Sequence, residues 1–150
     1  MKNKLFLFLI VSSFFFVNCS SGNHGVGVSK ESSVKQLTDA DFKKLVFNYE
    51  VNKEWKFEGD KPVIIDFYAD WCAPCRQLSP LVDSIAKEYD GKIVVYKVDT
   101  DKEQVLAQGL GITALPTLLF IPAEGMPRSS MGFLSRGNMQ KAISEILLIK

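Results

Sequence analysis

Residues 62–76, which read PVIIDFYADWCAPCR, decide the fold of this chain. Residues 62–69 form a nearly continuous apolar run, which is typical of a central strand buried on both faces of a sheet. Two cysteines, Cys72 and Cys75, follow at once. Apolar residues at helical spacing come next, from Leu78 to Tyr89, and they predict an amphipathic helix. The stretch therefore predicts a strand that passes into a helix through a Cys-x-x-Cys pair.

Short elements are predicted on both sides of this strand and helix. We expect further strands at residues 34–37, 92–98, 117–121 and 128–133. Helices should begin at Thr38, in a capping box at Thr100, and at Ser135, while Pro80 should kink the helix that follows the cysteines. The order βαβαβαββα predicts an α/β domain with a mixed sheet and helices on both faces.

Composition narrows the classes of function. The chain has 150 residues, of which 47% are apolar and 23% charged, as is usual for one globular domain. Lys and Arg exceed Asp and Glu by 18 − 17 = 1, so we expect no nucleic-acid partner. The chain holds three Cys and one His, a poor supply for a four-ligand zinc site. We expect no metal and no cofactor.

Residues 1–18 have the pattern of a secretory signal peptide. Lys2 and Lys4 precede an apolar stretch at residues 5–17. That stretch is short for a membrane-spanning helix, which needs roughly 20 apolar residues. The alternative is an uncleaved N-terminal anchor, and both readings predict an exported protein.

Cys19 lies at the end of this signal and resembles the lipidated cysteine of a bacterial lipoprotein. Asn18 departs from that pattern, because the residue before the cysteine is usually Gly, Ala or Ser. The alternative is cleavage after Ser20 or Ser21, which would release a soluble protein. We expect lipidation at Cys19 and hence membrane anchoring through the lipid.

Residues 19–33 are rich in Ser and Gly and predict a flexible tether. His24 lies in this tether, and we expect its side chain to be solvated rather than to act as a ligand or catalyst. The tether would join the lipid to a domain at residues 34–150. The predicted location is periplasmic, with the protein tethered to a membrane as a lipoprotein.

The Cys72–Cys75 spacing allows three interpretations: half of a zinc site, an inert structural bridge, or a redox dithiol. A zinc site would need further Cys or His ligands, and the chain offers only Cys19 and His24, in the signal or tether. A bridge over so short a loop removes little chain entropy. A redox dithiol is the expected reading of Cys-x-x-Cys beside a βαβ pattern. Free N–H groups and the helix dipole favour a thiolate at Cys72. Cys72 is therefore expected to be the exposed nucleophile and Cys75 the more buried resolving thiol.

Residues 66–76 resemble the active-site segment of the thioredoxin family. The likeness covers roughly residues 34–150, and Ala73 departs from it because the family usually has Gly there. The signal and the long first loop resemble those of exported thioredoxins from Bacteroidetes-type bacteria. The resemblance implies the thioredoxin fold, a central mixed five-stranded sheet flanked by four helices. It continues through Pro80, Lys97, Leu115, Pro116, Thr117 and Gly132.

The resemblance also assigns roles to residues around the dithiol. Asp66, inside a buried strand, should have a raised pKa, and the family's matching residue exchanges a proton with the buried cysteine. The alternative is that Asp66 pairs with Lys97 on the neighbouring strand, and the two roles are compatible because a charge partner would tune Asp66. Lys97 is therefore counted with Cys72, Cys75 and Asp66 in the expected catalytic set. Pro116 would be cis, where the residues alone allow a plain strand-start proline. The implied docking face for an extended substrate comprises Trp71, Ala73, Pro74, Leu115, Pro116, Gly132 and Phe133.

These expectations combine into a thiol–disulfide oxidoreductase that reduces exported proteins with disulfides. It would act as a monomer and be recharged by an electron donor in the membrane. Alternatives are a disulfide oxidase or isomerase, or a reductase of cytochrome c maturation. Members of those classes carry inserts before the cis-proline, whereas 40 residues separate Cys75 from Pro116 here. A redox-inactive binding module is the non-enzyme alternative.

Overall fold

Nine helices and strands follow one another along residues 33–149, the part of the chain that this computed structural model describes. The order βαβαβαββα predicted from the sequence is confirmed. The predicted signal, Cys19 and almost all of the tether lie outside the described residues. The elements are β1 Val34–Gln36, α1 Asp39–Leu45, β2 Val63–Tyr68, α2 Ala73–Glu88, β3 Val94–Asp99, α3 Gln104–Gly109, β4 Thr117–Ile121, β5 Arg128–Met131 and α4 Arg136–Ile146.

The five strands form one mixed sheet in the order β1-β3-β2-β4-β5. Strands β1 and β2 both run parallel to β3, whereas β4 is antiparallel to β2 and to β5. Strand β2 therefore lies in the middle, which explains its apolar run. The register places Asp66 opposite Lys97 on β3 and opposite Leu118 on β4.

Alternation along the strands divides the core into two layers, because successive side chains point to opposite faces. On one face, Ile64 and Leu118 pack in a cluster with residues of α2 and α4. On the other face, Ile65 and Phe67 pack with residues of α1 and α3. Asp66 falls between Ile65 and Phe67, so it points to the face that α2 covers.

Two predicted helix starts are confirmed and one is wrong. Thr38 and Ser135 cap α1 and α4 with their hydroxyls. The capping box expected at Thr100 does not form, because α3 begins at Gln104 without a side-chain cap. The Thr100 hydroxyl instead donates to the backbone carbonyl of Tyr68, at 3.1 Å. Thr100 therefore bonds to the end of β2 and does not cap α3.

Several element ends differ from what the sequence pattern indicates. Helix α1 ends at Leu45, which is 39% exposed, although Val46 and Tyr49 continue the helical spacing of apolar residues. Strand β3 begins at Val94. Strand β5 ends at Met131 because Gly132 adopts a φ of 85°, which leaves the strand conformation. Pro80 lies within α2, which continues to Glu88.

Candidate active site

A disulfide joins Cys72 and Cys75 at the junction between β2 and α2. The two sulfurs are 2.02 Å apart, so the structure represents the oxidised protein. Cys72 is the N-cap of α2, and its Sγ accepts a hydrogen bond from the Cys75 backbone N–H, at 3.2 Å. Pro74 lies in the first turn, where its missing N–H costs no helical hydrogen bond. The first cysteine thus lies where the helix favours negative charge.

The predicted exposure of Cys72 is wrong for this oxidised state. Cys72 is 4% exposed and Cys75 is 3% exposed, so exposure does not separate them. Tyr68 and Leu115, which come from the end of β2 and from the segment before β4, pack against the pair together with Ala69. The asymmetry between the cysteines lies in the hydrogen bond, because Cys72 Sγ receives the N–H of Cys75.

A cis peptide bond joins Leu115 to Pro116, as the resemblance implied. Leu115 packs against the disulfide. The Gly132 N–H donates to the Pro116 carbonyl at 2.7 Å, and the positive φ of Gly132 suits a residue without a side chain. The turns before β4 and after β5 are thereby tied together beside the dithiol.

The expected docking face is only partly exposed. Trp71 is 69% exposed and Phe133 is 54% exposed. Their large apolar surfaces are exposed to solvent, where a partner protein could cover them. Of the other members, Ala73 and Pro74 are exposed, Leu115 and Gly132 are intermediate, and Pro116 is buried.

Asp101 is a residue of this face that sequence reasoning missed. The Trp71 indole Nε1 donates to its carboxylate, at 3.0 Å from Oδ2. Asp101 follows β3, and β3 ends beside β2 because Asp99 pairs with Tyr68 in the register. The position of Asp101 just after a parallel strand was the available signal, since such strand ends meet at one sheet edge.

Asp66 is fully buried within β2, and neither carboxylate oxygen has a hydrogen-bond partner among the described residues. Burial raises the pKa of Asp66 to about 6, with a further upward contribution from Asp83 and an opposing one from Lys97. The predicted rise in the pKa is therefore confirmed. A carboxyl group of this kind can take and return a proton near neutral pH.

Lys97 lies near Asp66 but is bonded elsewhere. Its Nζ is 3.9 Å from Asp66 Oδ2, which is within ion-pair range but too far for a hydrogen bond. The ammonium donates to the Ser79 hydroxyl on α2 and lies 5.0 Å from the centre of the Tyr68 ring. Ser79 was not singled out from the sequence, because a serine on a helix gives no local signal for such a contact.

Other kinds of site have no support in residues 33–149. Within that range, no group of three or more His, Cys, Asp or Glu is arranged to hold a metal ion. The same residues include no helix that is both long and apolar enough to cross a membrane.

Comparisons with known proteins agree with this geometry. The thioredoxin family model matches residues 33–145. A thioredoxin of Borreliella burgdorferi is 50% identical over 109 residues, which is 73% of this chain and 93% of that protein. A thioredoxin of Porphyra purpurea is 36% identical over 115 residues, which is 77% of this chain and 98% of that protein.

The fold is also shared with a solved thioredoxin. The structure of a thioredoxin from Malassezia sympodialis superposes with a TM-score of 0.62 at 31% identity, covering 76% of this chain and 90% of that one. In this chain, the sheet order, the cis-proline and the cysteine pair thus accompany a sequence that matches the thioredoxin family. The chain belongs to the thioredoxin family and is a thioredoxin-type protein-disulfide oxidoreductase with Cys72 and Cys75 as its close cysteine pair.

Proposed function

We propose that this thioredoxin reduces protein disulfides outside the cytoplasm, with Cys72 as the nucleophile and Cys75 as the resolving thiol. The observation that carries the assignment of the cysteines is the position of Cys72 Sγ at the N-cap of α2, where it accepts the Cys75 N–H. A thiolate is the attacking species in disulfide exchange. The helix N-terminus stabilises negative charge on Cys72, whose Sγ receives the Cys75 N–H.

The first step is attack of the Cys72 thiolate on a disulfide of the substrate. The substrate S–S bond breaks, one substrate sulfur leaves as a thiolate that takes a proton from water, and Cys72 forms a mixed disulfide with the other. The segment around Leu115 and Pro116 supports the docking of an extended substrate strand, because Leu115 packs against the cysteine pair and precedes a cis bond.

The second step releases the reduced substrate. Asp66 takes the proton of the Cys75 thiol, the Cys75 thiolate attacks Cys72 Sγ, and the second substrate sulfur leaves as a thiolate. The substrate has gained two electrons and the enzyme holds the Cys72–Cys75 disulfide. Asp66 suits this step because its pKa of about 6 leaves the carboxylate ionised and basic at neutral pH.

The location outside the cytoplasm rests on the sequence of residues 1–33. A basic start, an apolar stretch and Cys19 support export and lipidation, and the Ser/Gly-rich residues support a tether. The family model begins at residue 33, after these segments. An exported reductase needs a source of electrons on that side, so we propose a membrane electron relay as its donor.

The competing redox functions would need extra structure that the described residues do not contain. Between α2 and β4 the chain forms only β3 and α3 in this region. A helical insert of the kind carried by periplasmic disulfide oxidases has no room there, and neither does the insert of cytochrome c maturation reductases. The intact cysteine pair likewise disfavours a redox-inactive binding module.

The division of roles between the cysteines predicts which variant traps substrates. Cys75→Ser should reduce no insulin disulfide catalytically but should accumulate mixed disulfides through Cys72, because the resolving step is lost. Cys72→Ser, the matched control, should trap almost none. Non-reducing gels and mass mapping measure both yields. Equal trapping by the two variants would refute the assignment, and a wild-type protein without insulin reductase activity would refute the reductase function.

The buried carboxylate predicts an unusual pH dependence of stability. The pKa of Asp66 is raised from 3.8 to about 6, so the folded protein binds more protons than the unfolded chain between these values. The contribution of Asp66 to the free energy of unfolding should therefore fall as pH rises from 4 to 7, by about 2 kcal/mol. Asp66→Asn should remove this decline and be at least as stable as wild type at pH 7. The exposed Asp60→Asn should keep the decline.

Kinetics on the same variant test the proton-transfer role. Asp66→Asn should slow resolution of the mixed disulfide by at most about 10²–10⁴-fold, and less if water substitutes as the base. Stopped-flow measurement of thiol release gives the rate, and urea unfolding gives the stability. If Asp66 only pairs with Lys97, Asp66→Asn should instead cost about 3–5 kcal/mol and leave resolution at the wild-type rate.

Lipidation at Cys19 predicts the behaviour of the full chain in cells. Cys19→Ala should abolish lipid-dependent membrane association, because each buried CH₂ of an acyl chain contributes about 0.8 kcal/mol of membrane affinity. Membrane fractionation and mass spectrometry of the mature N-terminus measure the effect, with Ser20→Ala as the control. A wild-type N-terminus at Ser21 or Gly22 without lipid mass would rule out the anchor.

A further inference from the structure

Ser79 occupies a position from which it can control the proton acceptor. It lies on α2, four residues after Cys75, so one helical turn separates the two positions on the same face. Its hydroxyl accepts a hydrogen bond from the Lys97 ammonium. The sequence motif of the active site does not include it, and the mechanism above gives it no role.

Lys97 could reach Asp66 but does not hydrogen-bond to it. The two residues are direct register partners on β2 and β3, and a lysine side chain is long and flexible. Charge-assisted N–H···O contacts normally close to about 2.7–2.9 Å. Here the Lys97 Nζ remains 3.9 Å from Asp66 Oδ2. Its hydrogen bond goes to Ser79 and its charge also faces the Tyr68 ring.

Because Lys97 bonds to Ser79, the Asp66 carboxylate lacks a hydrogen-bond donor within residues 33–149. Both of its oxygens are buried without a donor among the described residues, and a buried carboxylate without hydrogen bonds is unfavourable in its charged form. The charged groups that act on it are Lys97 from β3 and Asp83 from α2. On β4 its register partner is the apolar Leu118. A carboxylate in this setting binds a proton more readily than one held directly by an ammonium.

We propose that Ser79 is a positioning residue whose hydroxyl holds the Lys97 ammonium out of hydrogen-bonding contact with Asp66, which leaves the carboxylate free to accept the Cys75 proton. The proposal deepens the reductase mechanism and rests on it for the proton step. Lys97 supplies a positive charge near the carboxylate, and Ser79 sets how near. In that step the Cys75 S–H bond breaks and an O–H bond forms on Asp66, and the exchange of S–S bonds is the same as in the reductase mechanism.

Removal of the hydroxyl should let Lys97 turn to Asp66. In Ser79→Ala the ammonium loses its acceptor, and the unpaired carboxylate is the nearest replacement. A direct hydrogen bond favours the ionised carboxylate, so the midpoint of the Asp66 titration should fall by about one pH unit. Ser79 is only partly buried and alanine is the best helix former, so this variant should fold.

Ser84 provides a matched control on the same helix. Its hydroxyl also accepts a hydrogen bond from a cation, Arg136 Nη2, at 2.6 Å. Ser84→Ala therefore makes the same chemical change away from Asp66. Ser79→Thr keeps a hydroxyl at the site and should restore the wild-type behaviour.

The test is an NMR titration of the ¹³C-labelled Asp66 carboxyl in the full chain, together with the pH profile of mixed-disulfide resolution. We expect a midpoint about one unit lower in Ser79→Ala, unchanged in Ser84→Ala and restored in Ser79→Thr, with the resolution profile shifted to lower pH by the same amount. A midpoint that is unchanged or higher in Ser79→Ala would overturn the proposal.

The reductase function and the positioning role of Ser79 can be refuted separately. The titration needs no turnover, so it reports on Ser79 even if the protein reduces no substrate. Conversely, the wild-type protein could reduce insulin while Ser79→Ala leaves the Asp66 midpoint unchanged. That result would support the reductase function and rule out the role of Ser79.

Discussion

The hydrogen bond from the Cys75 N–H to the Cys72 sulfur is the interaction on which the proposed chemistry depends. It exists because β2 ends one short turn before α2 begins, so that Cys72 becomes the N-cap of the helix. Backbone N–H groups at that end have no helical partner and attract negative charge. The fold thus makes two identical side chains unequal, although both are almost fully buried in the oxidised pair.

The burial of Asp66 is the second feature on which the proposed chemistry depends. The central position of β2 in the sheet removes its carboxylate from water, and the ammonium that could compensate is engaged by Ser79. The cost in stability is the counterpart of the proposed role of Asp66 as a base near neutral pH. Strand β2 therefore positions both groups, with the proposed proton acceptor Asp66 within the strand and the proposed nucleophile Cys72 just beyond its end.

The parts of the site that depend on local sequence could be predicted, and those that depend on distant contacts could not. The apolar run of β2 and the position of Pro74 identified the strand–helix junction. Pairing of Thr100 with the Tyr68 carbonyl and the packing of Leu115 over the cysteines arise from strand order. Both overturned local expectations, namely a capping box and an exposed Cys72. The contact between Ser79 and Lys97 likewise needed the packing of α2 against β3.

The most direct measurement is the order in which the two thiols of the reduced protein are alkylated at pH 7. A limiting amount of iodoacetamide and peptide mass mapping identify the first site, and the same experiment on the reduced, unfolded chain removes the effect of the helix. We expect Cys72 to be modified first in the folded protein and the preference to vanish on unfolding. Modification of Cys75 first, or of both at equal rates, would contradict the assignment of Cys72 as the nucleophile.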